Sequence, residues 1–149
     1  MVRGNGIKVL EEAGIVVESG LLEQDAAEQM REFLHWCKFR RPYVTVKVAV
    51  DSNNSVDDLS DDAGRFTSED CLTKVHHLRK DCCAILVGAN TIIRDDPQLT
   101  IRLVETERQP IRIVIDPNNR ISEDSKVLSD GFATKHLTNN FRGIPAMLD

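Results

Sequence analysis

Aromatic side chains are scarce in this 149-residue sequence: five phenylalanines, one tyrosine and one tryptophan. Aliphatic side chains must therefore fill most of any core. No apolar run approaches the roughly 18 residues that span a bilayer, and Met1 to Ile7 contains no hydrophobic signal region. Positive charge is not in excess. The net charge of −5 removes any electrostatic reason to expect nucleic acid as a partner. The four cysteines, Cys37, Cys71, Cys82 and Cys83, form no CxxC pair and no zinc-ligand spacing. A reducing compartment follows as the default, and Cys82 and Cys83 read as buried thiols of a strand. The usual dinucleotide fingerprint GxGxxG is missing as well.

What is present suits a folded α/β domain, with 41% hydrophobic and 29% charged residues. Gly4 to Glu12 reads as a short helix and Ile15 to Ser19 as a short strand. Leu22, Ala26, Met30, Phe33 and Cys37 recur at helical spacing. Acidic residues lead that helix, basic ones close it, and Pro42 ends it. Tyr43 to Val50 alternates as a strand does, with its four valines on one face. Residues 51–64 hold five aspartates and read as a loop. Thr67 or Ser68 caps the next helix. Cys83 to Val87 reads as a strand buried on both faces, followed by a short helix over Asn90 to Arg94. Leu99 to Leu103 reads as a small strand. Ile111 to Ile115 is a strand that ends in the turn Asp116-Pro117-Asn118-Asn119, and Thr134 to Leu137 is a further short strand. In such an order ligands belong at the carboxyl ends of the strands.

The stretch from Leu78 to Arg102, LRKDCCAILVGANTIIRDDPQLTIR, concentrates the chemistry. Gly88 allows a tight turn, and the amides opening the next helix suit phosphate. Thr91 offers a hydroxyl donor and Asp95 an acceptor for ribose hydroxyls. Arg79 and Arg102 offer forked donors for a phosphate dianion. These residues fit a nucleotide-like site. Taken alone they fit better a surface Arg79, a helix-capping Thr91 and an Asp95-Asp96-Pro97 turn. His76 and His77 are adjacent on a helix, so their rings diverge by about 100° and a packing or solvated role is expected. His35-Trp36 reads as a helix-end contact.

The same stretch resembles the reductase motif of the bifunctional deaminase/reductase family of riboflavin biosynthesis, RibD. RRPYVTVKVAV resembles that family's first reductase strand and QPIRIVID a later one. GIKVLEEAGIVVESGLLEQDAAEQMREFLHW resembles the segment joining deaminase to reductase. The resemblance implies an α/β fold, a dihydrofolate-reductase-like sheet with flanking helices, incomplete at its C-terminal end. It implies the tail of a deaminase-like domain over residues 1–41 and the N-terminal part of a reductase domain over 42–149. The implied activity is NADPH-dependent reduction of the ribosyl group of 5-amino-6-(5-phosphoribosylamino)uracil to ribityl.

Carried over by position, Ala49, Thr91, Asp95 and Pro117 fall where the family contacts NADPH. Arg79, Leu99 and Arg102 fall where it holds the phosphoribosylamino-pyrimidine substrate. No catalytic acid–base pair is implied, since hydride transfer rests on positioning two ligands, and no metal is expected because the deaminase zinc pattern is absent. The sequence departs from the family at Asp51-Ser52-Asn53-Asn54, where the family has SLDG. It departs again at Ala63 and Arg65, where the family has a serine and a tryptophan. A degenerate, non-catalytic module derived from RibD is therefore the competing expectation. A sheet cut short exposes edges and an apolar face, so the chain is expected to form homo-oligomers or to belong to a longer polypeptide. No membrane is implied, and both the cytoplasm and the plastid stroma suit a reducing compartment.

Overall fold

The computed structural model describes residues 4–56 and 67–139. The chain divides into two compact units, Met1–Lys47 and Val48–Asp149.

The first unit holds α1 (Asn5–Glu12), α2 (Glu23–Gln29) and α3 (Arg31–Phe39). The single helix expected from Leu22 to Cys37 is broken at Met30, whose φ of −104° and ψ of 14° leave the helical range. Hydrogen bonding persists around the break, from Met30 N to Ala26 O at 3.1 Å and from Leu34 N to Met30 O at 2.9 Å. The helical period is thus preserved although the helix is not continuous. The expected contact at His35 is present: its ring lies 4.8 Å from Phe39 and meets Tyr43 edge-on at 5.5 Å. None of the three helices buries a residue.

Two expected strands are absent. Ile15 to Ser19 and Tyr43 to Val50 carry no ladder bonds. Alternation marks a chain able to pair, but a strand forms only where a neighbour presents matching N–H and C=O groups. Val44 and Val46 are instead 74% and 80% exposed.

Among the described residues, the second unit is built on three parallel strands in the order β1 (Ala84–Gly88), β2 (Ile111–Ile115), β3 (Thr134–Leu137). α4 (Glu69–Asp81) precedes β1. Ser68 caps it, its hydroxyl accepting from Cys71 N at 3.3 Å, and acidic residues open it while Arg79 and Lys80 close it. α5 (Ala89–Asp95) follows β1, and α6 (Lys126–Ser129), unforeseen in the sequence, lies between β2 and β3. Val114, Ala89, Ile92, Leu99, Ile121 and Val127 form the core, with Val87 and Leu128 against it.

β1 is not buried on both faces. Ile85 and Val87 turn toward the covered side, with Arg112, Val114, Thr134 and His136 beside them in register. Leu86, Ile111 and Ile115 lie on the other side and stay 59%, 44% and 43% exposed. Cys82 is half-buried and Cys83 exposed, both just ahead of the strand rather than inside it.

The small strand expected at Leu99 to Leu103 is replaced by an irregular segment whose backbone is satisfied by side chains. Gln109 stands in for a neighbouring strand: its Nε2 donates to Ile101 O at 3.0 Å and its Oε1 accepts from Ile101 N at 2.7 Å. Arg79 Nη1 donates to Thr100 O, and His76 Nδ1 accepts from Arg102 N, both at 2.9 Å. These bonds let Leu99, Thr100 and Ile101 be buried without a ladder. Leu99 itself takes a left-handed φ of 57°, a conformation that a leucine adopts only where surrounding contacts hold it.

Arg112 anchors the covered face from within. It is 1% exposed and donates to Gln98 O, Val127 O, Phe132 O and both carboxylate oxygens of Asp130, at 2.6 to 2.9 Å. A buried guanidinium is tolerable only with such a complement of acceptors.

Candidate functional site

The residues singled out in the sequence fall into two groups, joined by α5. The first lies at the carboxyl ends of β1 and β2, where Gly88 stands opposite Ile115 in register. Thr91 is half-buried in the first turn of α5. Pro117 is exposed in the turn after β2, which Asn119 N closes onto Asp116 O at 3.0 Å. Arg120 Nη2 reaches Asn90 Oδ1 at 2.5 Å and ties that loop to α5. Gly88 has an ordinary extended backbone, φ −85° and ψ 161°, with open space where a Cβ would stand. The tight turn expected of it is therefore not what selects glycine there.

Asp116, unremarked in the sequence beyond its place in the turn, is wholly buried beside Pro117. Its Oδ2 accepts from Ile121 N at 3.0 Å and meets His136 Nε2 at 3.2 Å, while Oδ1 has no hydrogen-bond partner among the described residues. Burial pushes this carboxyl upward, but the amides of Arg120 and Ile121 and the His136 ring outweigh it and hold it below the usual carboxylate range. Its signal in the sequence was position alone, an acidic residue closing an apolar strand.

The two adjacent aspartates at the end of α5 differ in role. Asp96 adopts a left-handed φ of 37° and turns toward α6, where Oδ1 accepts from Lys126 N at 2.9 Å and Oδ2 pairs with Lys126 Nζ at 3.2 Å. Asp95 is exposed, and its carboxylate makes no hydrogen bond or ion pair among the described residues. The Thr91 hydroxyl is likewise without a partner there. Ala49 is half-buried in a stretch with no regular structure, and no hydrogen bond links it to the other residues of this group.

The second group gathers around Thr100. Arg79, half-buried on α4, holds the Thr100 carbonyl; Arg102 Nη1 donates to Thr100 Oγ1 at 3.1 Å and to Gln98 Oε1 at 2.9 Å. Neither guanidinium has an ion-pair partner among the described residues. Burial lowers the Arg79 pKa, and the nearby charge of Arg102 lowers it further. The Leu99 side chain sits in the core, which leaves only its main chain to face a ligand. Gln109, which fixes this segment, stands two residues ahead of β2. The arginine pair is therefore not anchored at the carboxyl ends of the strands, where the order of elements had placed every ligand contact. α5, about 10 Å long, leads from one group toward the other.

Asp51 accepts from Asn53 N and Ser55 N, both at 2.8 Å, so its carboxylate organises its own turn, and these bonds lower its pKa. Ala63 and Arg65 lie outside the described residues. No group of three or more His, Cys, Asp or Glu suited to a metal occurs among the described residues, and no helix there is long and apolar enough to cross a membrane.

The parallel sheet with flanking helices, together with its likeness to solved structures, defines the class: an α/β domain of dihydrofolate-reductase-like fold. The chain belongs to the RibD C-terminal domain family, whose model matches residues 42–142. It is similar to the riboflavin biosynthesis protein RibD of Bacillus amyloliquefaciens, 41% identical over 133 residues, and to that of Aquifex aeolicus, 38% identical over 129. These matches cover 89% and 87% of this chain but 36% of either relative, so the chain spans a little over a third of their length. Among solved structures it resembles a Thermotoga maritima diaminohydroxyphosphoribosylaminopyrimidine deaminase/5-amino-6-(5-phosphoribosylamino)uracil reductase, with a TM-score of 0.82 and 31% identity. That match covers 93% of this chain and 39% of the other. Acinetobacter baumannii RibD follows with a TM-score of 0.78 and 29% identity, over 93% of this chain and 40% of that one. The matched domain is the C-terminal one of RibD, which corrects the expected N-terminal half of the reductase to that domain.

Proposed function

We propose that this chain provides substrate and cofactor contacts of a 5-amino-6-(5-phosphoribosylamino)uracil reductase of riboflavin biosynthesis. Family membership supports the reaction class. The observation that carries the reading is the pair of guanidiniums, Arg79 and Arg102, both held on Thr100 and neither neutralised by a carboxylate among the described residues. Two cations held close together repel each other, and a phosphate dianion relieves that repulsion with paired charge-assisted hydrogen bonds. In this reading Arg79, Arg102 and the main chain at Leu99 hold the phosphoribosyl end of the substrate.

The groups left over at the other end suit NADPH. The Thr91 hydroxyl and the exposed Asp95 carboxylate, both without a side-chain partner among the described residues, supply a donor and an acceptor for ribose and amide groups. NADPH, when bound, supplies the hydride that reduces the ribosyl group. The chain's own task is to hold two ligands in register, which by itself lowers a barrier substantially. Residues 1–41 then correspond to the end of a deaminase-like domain and 42–149 to the reductase region. The cytoplasm or the plastid stroma is the compartment, and the chain works within a longer polypeptide or as a homo-oligomer.

The competing reading, a non-catalytic module, draws on Asp51, whose carboxylate is already engaged by its own loop where the family has SLDG. Titration with ribose 5-phosphate and with NADPH separates the two. Arg102→Ala is expected to weaken ribose 5-phosphate binding by about tenfold or more while NADPH affinity is unchanged. Absence of NADPH binding in the chain and in the longer protein carrying it would favour the non-catalytic module.

A further inference from the structure

We propose that His76 is a positioning residue for the anion-binding arginine pair, acting as a neutral imidazole that accepts a hydrogen bond from the Arg102 backbone and thereby fixes where the Arg102 guanidinium projects. This rests on the reading of Arg79 and Arg102 given above and extends it to a residue outside that substrate set.

The argument begins with a bond whose direction is unambiguous. Arg102 N–H can only donate, so His76 Nδ1, 2.9 Å away, must accept. A ring that accepts at Nδ1 carries its proton on Nε2 and is uncharged; an imidazolium has no lone pair to offer. Burial and charge both favour that form. The side chain is 4% exposed, and its pKa is lowered by burial first, then by the positive charges of Arg79 and Arg102. Arg79 comes from the same helix and Arg102 from the segment packed against it. No carboxylate pairs with the ring among the described residues to offset them.

The position matters because the 98–102 segment has no ladder to hold it. Thr100 O is fixed by Arg79, both backbone groups of Ile101 by Gln109, and Arg102 N by His76. His76 and Arg79 lie three apart on α4, so one helical face holds both ends of the Thr100–Arg102 stretch. His76 thus holds the backbone of one arginine on the same helix that carries the other.

The test uses His76→Asn, whose Oδ1 reproduces the Nδ1 acceptor, and His76→Leu, which fills the space without accepting. Ribose 5-phosphate is titrated into the wild-type chain, both variants and Arg102→Ala, with NADPH titrated in parallel. His76→Asn should bind within about threefold of wild type, and His76→Leu about tenfold more weakly, with NADPH affinity unmoved in both. In nitrogen-15 spectra, His76 should show the Nε2–H tautomer, and the Arg102 amide should shift with its protonation at a midpoint below that of a free histidine. An Nδ1–H tautomer overturns the proposal, as does wild-type affinity in His76→Leu. So does equal weakening in both variants, which would indicate packing alone. If the wild-type chain binds no ribose 5-phosphate and Arg102→Ala changes nothing, the substrate reading itself fails and takes this inference with it. Loss in Arg102→Ala with normal binding in His76→Leu refutes the inference and leaves the reading intact.

Discussion

Asp95 and Asp96 show how far adjacent identical residues can diverge. In the sequence they form one acidic pair before a proline. In the fold Asp96 turns back through a left-handed backbone and caps α6 through Lys126, whereas the Asp95 carboxylate stays exposed, with no partner among the described residues. Asp96→Ala should therefore lower unfolding stability by about 1 kcal/mol, as loss of a helix cap does, with NADPH affinity little altered. Asp95→Asn should leave the urea midpoint in place and weaken NADPH binding. Denaturation and cofactor titration of the two variants check this directly, and a reversed pattern would assign the cofactor contact to the wrong aspartate. Arg79, Arg102, Thr91 and Asp95 were all recognisable as chemistry-bearing residues. His76 was not, since one of two adjacent histidines on a helix reads as a packed or solvated side chain until its acceptor role toward Arg102 is seen.

At the scale of elements, α4, α5 and the three paired strands were readable to within a residue or two, because α4, β1, α5 and β2 each carry a clear period, cap or stop, whereas α2 and α3 read as one helix in the sequence. The false strands at 15–19 and 43–50 and the false strand at 99–103 fail for different reasons. The first two have no partner among the described residues. The third has its partners supplied by Gln109, Arg79 and His76. α6 was missed because four residues are too few for a period to register.

Arg112 and Asp130 bind β2 to the segment after α6, and their loss has a calculable sign. Asp130→Ala leaves a buried guanidinium unpaired and should destabilise the chain by about 3–5 kcal/mol. Hydrogen bonding from Arg112 holds the Asp130 pKa below its ordinary value. In acid the folded chain therefore binds fewer protons here than the unfolded chain. The resulting stability is full above the unfolded carboxyl pKa, about 4, and is lost as pH falls through the lower folded value. Wild-type stability should drop over that acid window, and Asp130→Ala should lack this component. Chemical denaturation at a series of pH values measures both.

For the whole molecule, the contrast between the two units is the governing feature. The unit Met1–Lys47 carries helices of eight, seven and nine residues and none of them buries a side chain. Helices this short are marginal in water without packing. Residues 84–137 contain the sheet and the core. Amide exchange should accordingly be fast through α1 to α3 and slow at β2, whose Val114 is wholly buried. The uncovered sheet face at Leu86, Ile111 and Ile115 should make the chain associate as concentration rises, which sedimentation velocity would register. Comparable protection throughout and a concentration-independent monomer would contradict this account.

The sequence by itself determined the family, the α/β class, the positions of α4, β1, α5 and β2, and the donors and acceptors proposed above for a phosphoribosyl ligand and a dinucleotide. These depend on local period and residue type, which a linear chain displays. Only the tertiary structure decided that Asp95 is available while Asp96 is not, that Leu99 faces the core, and that His76 must be neutral. It alone separated the arginine pair from the strand ends. Each of these depends on which group a side chain meets from elsewhere in the chain. Hydrogen-bond direction and burial are set at that meeting.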